Sequence, residues 1–227
     1  MRNLILATAV LGVASSSAFA QTVLFERPFD PTTAAVSGVV SEAPDGGFYN
    51  QRVADQFTLA TDATVTELRW FGSEEGFFTA DFPGNIAGFS LQINDATATQ
   101  TPGASLFDMT VPVGDVTATS TGTTQFNDAT IFEFSYTLPA GVALPAGNYT
   151  FSPAATFVAG DGSANDDSFF LAATATLGLA VASPPSAGYS FDAAANEFSY
   201  SIVGTVPEPA SLSLLGLGGL ALIRRRR

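Results

Sequence analysis

The stretch Phe132-Glu133-Phe134-Ser135-Tyr136-Thr137-Leu138 decides the fold class of this chain. Apolar and polar side chains alternate along it, so every second residue of an extended chain points to the same face. One apolar face and one polar face are typical of a half-buried strand in an antiparallel sheet. An amphipathic helix would instead repeat its apolar residues every three to four positions. The stretch therefore predicts a β-strand.

The same alternation occurs at three other places, residues 53–59 (VADQFTL), 89–94 (FSLQIN) and 198–202 (FSYSI). Clusters of the turn-forming residues Pro, Gly, Asp and Asn separate such runs, and they lie at residues 44–47, 83–85, 102–103, 145–148, 161–163 and 184–186. Roughly ten short strands with turns between them predict an all-β body, an antiparallel β-sandwich or jelly roll. We expect the last two strands, residues 189–192 and 197–203, to form a terminal hairpin around residues 193–196.

The N-terminal segment, residues 1–20, has the three parts of a secretory signal peptide. Arg2 supplies the positive charge, an apolar helix follows, and Ala18-Phe19-Ala20 forms a small-residue cleavage site. We expect the general secretion machinery to export the chain and signal peptidase to cut after Ala20.

The C-terminal segment also has three parts, namely Pro207-Glu208-Pro209, an uncharged apolar run over residues 210–223, and an arginine cluster formed by Arg224, Arg225, Arg226 and Arg227. As a helix, the 14-residue run would be about 21 Å long, which is shorter than the ~30 Å hydrocarbon core of a bilayer. The run therefore predicts a short transmembrane helix with transient membrane contact. Because four guanidinium groups are costly to translocate, we expect the cluster to act as a stop-transfer signal that leaves the body outside.

This arrangement resembles the PEP-CTERM sorting signal of Gram-negative bacteria. The resemblance implies that an exosortase, a membrane-embedded protease, acts at Pro207, Glu208 and Pro209 and releases the tail. It also implies an inner-membrane intermediate and a final place at the cell surface or in the extracellular matrix. The chain is thus predicted to comprise a signal peptide (1–20), a β-sandwich ectodomain (21–205) and a sorting signal (206–227).

The body carries a weaker similarity to a group of PEP-CTERM ectodomains, through residues 53–57 (VADQF), 66–72 (TELRWFG) and 144–149 (LPAGNY). In that group the last motif continues with Trp, whereas this chain has Thr150. The similarity implies a shared architecture and no particular activity.

The composition of the body excludes several functions. Residues 21–209 contain three arginines against 21 acidic residues, a net charge of −18. Such a strongly acidic body repels nucleic acid, which needs basic patches. The chain has no cysteine, so the fold relies on its apolar core, for which about 185 residues suffice.

The chain also lacks the residues that most catalytic mechanisms need. Without His or Cys the chain has no activated nucleophile pair and no typical zinc site. Without Lys it has no Schiff base. A glycosidase with two carboxylates is the enzyme class left open, but no feature of the sequence singles out such a pair. We therefore expect a non-enzymatic protein without a cofactor.

Two groups of residues are candidates for binding. Trp70, the single Trp, is either a stacking platform for a matrix exopolysaccharide or a core residue, and the 20 Phe of the chain favour the core. Asp161, Asn165, Asp166 and Asp167 either bind Ca²⁺ through their hard oxygens or form a solvated acidic turn, which we expect, as we do for Glu74-Glu75. The alternative to a plain surface protein is thus a carbohydrate- or Ca²⁺-binding module.

Overall fold

The computed structural model describes residues 21–34, 38–40, 51–75, 86–124, 128–157, 168–182 and 189–207. Twelve strands account for most of the described residues. They are β1 (Thr22–Arg27), β2 (Gly38–Val40), β3 (Arg52–Leu59), β4 (Ala63–Glu75), β5 (Ile86–Ala96), β6 (Pro102–Pro112), β7 (Thr117–Thr124), β8 (Thr130–Leu144), β9 (Gly147–Phe157), β10 (Ser168–Ala182), β11 (Ser190–Phe198) and β12 (Tyr200–Thr205). The described helical segments are α1 (Pro31–Ala34) and a 3-10 turn (Val113–Asp115).

The strands form two antiparallel sheets. In the first sheet the order is β1-β12-β4-β8-β7, and the start of β10 continues beside β4 where β12 leaves it. In the second sheet the order is β3-β9-β5-β6. The end of β10 pairs with the start of β3 and so connects the two sheets. The predicted all-β, sandwich-like antiparallel fold is confirmed.

Aromatic rings fill the space between the sheets. Trp70 of β4 is fully buried. Its ring stacks on Phe134 of β8, with 5.6 Å between centroids, and meets the edge of Phe89 of β5 at 5.0 Å. Because these three rings come from both sheets, they hold the two layers together through apolar burial and edge-to-face contacts.

The alternation in the sequence predicts the buried faces correctly. Phe89, Leu91 and Ile93 are fully buried on the inner face of β5. In residues 132–138, Phe134 and Leu138 are buried, and Tyr136 is half-buried. The strand that contains this stretch, β8, extends further in both directions than the alternation predicted.

The predicted terminal hairpin is wrong. Strand β11 pairs with β10, whereas β12 pairs with β1 and β4. Residues 193–196 therefore lie within a strand, and the chain changes partner at Ser199, whose N–H donates to the carbonyl of Ala172 at 2.9 Å. Alternation identifies strands but carries no information about their partners, and residues 193–196 (AAAN) contain neither Gly nor Pro to make a turn.

Two predicted turns also lie in strands. Glu74 and Glu75 end β4, beside the start of β10, instead of forming a charged turn. Residues 102–103 open β6, and the turn itself lies at 97–101. The predicted turn between β8 and β9 is confirmed at residues 145–146. The predicted turns at 44–47, 83–85, 161–163 and 184–186 lie outside the described residues.

Candidate functional site

The junction between the body and the C-terminal tail is formed by the end of β12. Thr205 is the last residue of the strand and lies opposite Thr64 of β4. Val206 and Pro207 follow the strand and are exposed to solvent. The tripeptide Pro207-Glu208-Pro209 therefore begins two residues after the last paired residue of the sheet. Its residues Glu208 and Pro209 lie outside the described residues.

The sequence of β12 explains why it is held so firmly. Tyr200 and Ile202 alternate inward and are fully buried. At Gly204 the backbone of β4 comes so close that a Cβ atom would lie 2.1 Å from the carbonyl oxygen of Thr64 and 2.7 Å from Cδ1 of Leu24. Only glycine permits this approach without a shift of the backbone, so the strand remains docked up to the start of the tail.

A second feature of the body, missed by the sequence analysis, is a buried cluster of charges between the sheets. The Nε atom of Arg27 on β1 lies 2.9 Å from Oδ2 of Asp55 on β3, and its NH2 donates to Oδ1 at 3.2 Å. The same guanidinium donates to Glu197 of β11. Asp55 is fully buried, and the backbone N–H of Gln56 donates to it at 2.7 Å.

Aromatic rings close this cluster. The Cζ atom of Arg27 lies 5.7 Å from the ring centroid of Phe25 and 5.8 Å from that of Tyr200, within the range of cation–π attraction. The hydroxyl of Tyr200 donates to the carbonyl of Gln56 at 2.9 Å. The polar groups therefore lie behind apolar rings, and only small parts of the side chains of Arg27 and Glu197 reach the surface.

Burial and the neighbouring charges shift the pKa values of the residues in this cluster. Burial raises the pKa of Asp55 to about 8, because the lowering effect of Arg27 is smaller and Glu197 adds a second negative charge. Burial alone would lower the pKa of Arg27, but attraction to Asp55, Tyr200 and Glu197 outweighs it and raises that pKa. Burial likewise raises the pKa of the Tyr200 hydroxyl.

Comparison with known proteins decides what the junction is. Residues 205–227 match the family of the PEP-CTERM protein-sorting motif. The chain carries a PEP-CTERM sorting signal. The predicted resemblance of the tail is confirmed, and the motif supports an exported chain that passes through the membrane and implies recognition by an exosortase. The match begins at the residue that ends β12.

The comparisons with curated proteins and with solved structures returned no match. The family match covers residues 205–227 and says nothing about the preceding strands of the body. Within the part of the chain that the structure describes, no helix has the length and apolar character needed to cross a membrane.

Of the candidate site residues predicted from the sequence, Trp70 is described by the structure and most of the others are not. Trp70 is a core residue without exposed surface, so its ring is closed to a sugar. Outside the described residues lie the signal-cleavage residues Ala18 and Ala20, the Ca²⁺ candidates Asp161, Asn165, Asp166 and Asp167, and the arginines Arg224, Arg225, Arg226 and Arg227. Among the residues that are described, no group of three or more Asp or Glu side chains is placed to hold a metal ion.

A second buried arginine was also missed. Arg52 of β3 donates through Nε to Oγ of Ser152 at 2.9 Å and through NH1 to Oγ of Ser90 at 3.1 Å. Its NH2 donates to the backbone carbonyls of Ser90 and Ser152 at 3.0 and 3.3 Å. Burial lowers the pKa of Arg52, and the nearby Tyr189 partly offsets this. Arg52 thereby ties β3 to β9 and β5.

One signal in the sequence pointed to the cluster of Arg27, Asp55 and Glu197. Asp55 occupies an inward position in the alternating run 53–59, where a charge requires a partner. The body has only three arginines, Arg27, Arg52 and Arg69. Two of them, Arg27 and Arg52, lie in buried clusters, and the third pairs with Glu67 at 2.7 Å on the surface.

Proposed function

We propose that this PEP-CTERM protein is a non-enzymatic exported protein whose β-sandwich body is delivered to the cell surface or the extracellular matrix. The observation that carries the proposal is the position of the sorting motif, which begins at Thr205, the last residue of the folded body. Removal of the tail after this point leaves every strand of the body intact. The product is an acidic domain.

Processing is the first test. We expect an exosortase to cut near Pro207, Glu208 and Pro209 after signal peptidase has cut after Ala20. Intact-mass spectrometry of the exported protein should give a mass that lacks residues 1–20 and the arginine cluster. A surface form whose mass still includes Arg224 to Arg227 would overturn the proposal.

A matched pair of proline variants tests whether the motif itself is recognised. The double variant Pro207→Ala and Pro209→Ala should accumulate with its tail in the membrane fraction. Pro145→Ala, in the exposed turn between β8 and β9, should be processed like the native protein. Replacement of Arg224, Arg225, Arg226 and Arg227 by Asn should misorient or mislocalise the chain, and unchanged localisation would contradict the stop-transfer role.

The charge cluster of Arg27, Asp55 and Glu197 argues against a glycosidase site built on Asp55 and Glu197. A glycosidase needs two carboxyl groups about 5 to 9.5 Å apart with room for substrate or water between them. Here the guanidinium of Arg27 binds both carboxyl groups and fills that room. We expect no turnover of glycoside or polysaccharide substrates. Turnover that disappears in Asp55→Asn or Glu197→Gln would contradict this.

A carbohydrate-binding module is the second candidate. Its sugar site would have to lie on exposed surface, because Trp70, Asn94 and Thr150 are all buried. Calorimetric titration of the native protein with matrix polysaccharide tests this candidate. A parallel titration with Ca²⁺ tests the loop of Asp161, Asn165, Asp166 and Asp167.

A further inference from the structure

Both ends of the body leave it at the same place. Strands β1 and β12 are antiparallel neighbours, and Thr22 lies opposite Gly204. Opposite Cα atoms in such a pair are about 4.5 to 5.5 Å apart. Gln21, which precedes β1, and Val206, which follows β12, are both exposed. The residue that follows the predicted signal peptide and the residue that starts the tail therefore lie side by side.

Three turns share this end of the sandwich, as the strand registers require. Thr205 lies opposite Thr64 next to the β3–β4 turn, Leu59 lies opposite Gly147 next to the β8–β9 turn, and Ala96 lies opposite Pro102 across the β5–β6 turn. We call this surface the tail-side end, and define it as Gln21, the turns 60–62, 97–101 and 145–146, and Val206–Pro207.

The tail-side end is rich in hydroxyl groups. The hydroxyls of Thr97, Thr99 and Thr101 lie 2.7 to 3.2 Å from one another in the β5–β6 turn. Asp62 accepts a hydrogen bond from the backbone N–H of Ala146 at 2.9 Å, which links the other two turns. Its turns hold a single acidic side chain, Asp62, in a chain whose residues 21–209 carry a net charge of −18, so an anionic lipid surface repels this end only weakly.

The length of chain between the body and the tail sets how far the tail-side end can move from a membrane. Four residues lie between Thr205 and Ala210, where the apolar run begins, so the two are five residue steps apart. Fully extended, these steps span at most about 18 Å. The interfacial layer on each side of the hydrocarbon core takes up roughly 5 to 8 Å of this length. While the apolar run is inserted, the tail-side end lies within about 13 Å of the headgroups.

We propose that the tail-side end is the bilayer-contact surface of the membrane-bound intermediate, and that lipid headgroups are its partner. This inference rests on the proposed function, because it requires the tail to be inserted in a membrane. The inference goes beyond the proposed function because it assigns the orientation of the body relative to the membrane. Because the termini lie side by side, the signal peptide while still attached and the tail afterwards hold the same end toward the membrane.

The lack of native cysteine allows a direct test. Single-cysteine variants of chain 21–227 carry a fluorophore at Thr61→Cys or Ala98→Cys on the tail-side end, or at Gly114→Cys on the opposite end. Gly114 follows β6 and has open space around it, and the 11 residues of β6 separate the two ends by roughly 35 Å. The proteins are reconstituted into phosphatidylcholine–phosphatidylglycerol vesicles that contain headgroup-labelled quencher lipids.

We expect quenching at positions 61 and 98 to exceed quenching at position 114 several-fold. Equal quenching at both ends, stronger quenching at position 114, or failure of the protein to float with the vesicles would overturn the proposal. A 20-residue Gly/Ser spacer after Thr205 adds about 25 Å of mean reach and should remove the difference. A difference that survives the spacer would contradict the short tether as its cause.

These vesicles contain neither exosortase nor secretion machinery. The quenching result is therefore independent of processing in the cell. Loss of processing with normal quenching would overturn the proposed function alone, and normal processing with equal quenching would overturn the orientation alone.

Discussion

Arg27 bridges the two sheets, with its Nε atom 2.9 Å from Oδ2 of Asp55. Strand β1, which carries Arg27, belongs to the first sheet and pairs there with β12. Strand β3, which carries Asp55, belongs to the second. The ion pair thus connects the first strand of the body to the opposite layer, and it does so in a protein without disulfides.

The stability of the body should depend strongly on Arg27. Above about pH 8, where Asp55 is ionised, Arg27→Met leaves the carboxylates of Asp55 and Glu197 without their shared cation, and loss of one partner of a buried pair typically costs about 3 to 5 kcal/mol. Urea unfolding followed by tryptophan fluorescence measures the loss. Arg69→Met is the matched control, because its pair with Glu67 lies at the surface and is worth at most about 1 kcal/mol. Equal losses in the two variants would contradict the bridging role.

The pH dependence of stability should report Asp55. Because burial raises its pKa to about 8 and unfolded Asp titrates near ~4, the folded state holds a proton that the unfolded chain releases. The stability contributed by this group is therefore complete below about pH 4 and is lost as the pH rises to about 8. The slope is at most about 1.4 kcal/mol per pH unit.

Two variants isolate this contribution from that of the other carboxylates. Asp55→Asn replaces the protonated carboxyl by an uncharged amide, so its stability should fall less steeply between pH 5 and 8 than that of the native protein. Asp115→Asn, in the exposed 3-10 turn, should keep the native slope. Thermal unfolding midpoints across this range provide the measurement, and parallel curves for all three proteins would refute the titration of Asp55.

Trp70 should matter for stability and not for ligand binding. Its ring is fully buried against Phe89 and Phe134, so Trp70→Ala should cost about 3 to 5 kcal/mol of unfolding free energy. Trp70→Phe keeps most of the apolar volume and should lose less. Neither change should alter polysaccharide affinity per folded molecule in affinity electrophoresis. Lower affinity of a stable Trp70→Phe variant would favour the stacking platform instead.

The sequence allowed the strands and the tail to be predicted because both signals are local. Alternation within a few residues marks the inner face of β5, and the motif at Pro207 occupies adjacent positions. The partners of β11 and β12 could not be predicted in this way, since they depend on residues far along the chain. The same holds for the charge cluster: Asp55 was visible as a charge in an inward position, but Arg27 and Glu197 reach it only through the tertiary fold.

Gly204 should control how firmly the last strand is held at the start of the sorting signal. In Gly204→Val the new Cβ would lie 2.1 Å from the carbonyl oxygen of Thr64. The end of β12 must then separate from β4, at a cost of about 1 to 3 kcal/mol, as for other overpacked sites. Limited proteolysis should then cut residues 203–207 several times faster than in the native protein.

Gly114→Val provides the matched control for this change. No atom lies within 4 Å of a Cβ at Gly114, so the same substitution should change stability by no more than about 0.5 kcal/mol and leave the proteolysis of residues 203–207 at the native rate. Since β1 pairs with β12, detachment of the strand end in Gly204→Val should also speed hydrogen exchange at Thr22 and Val23. Native exchange at these two residues together with native proteolysis would show that the close approach of Gly204 to β4 is not required to dock the strand.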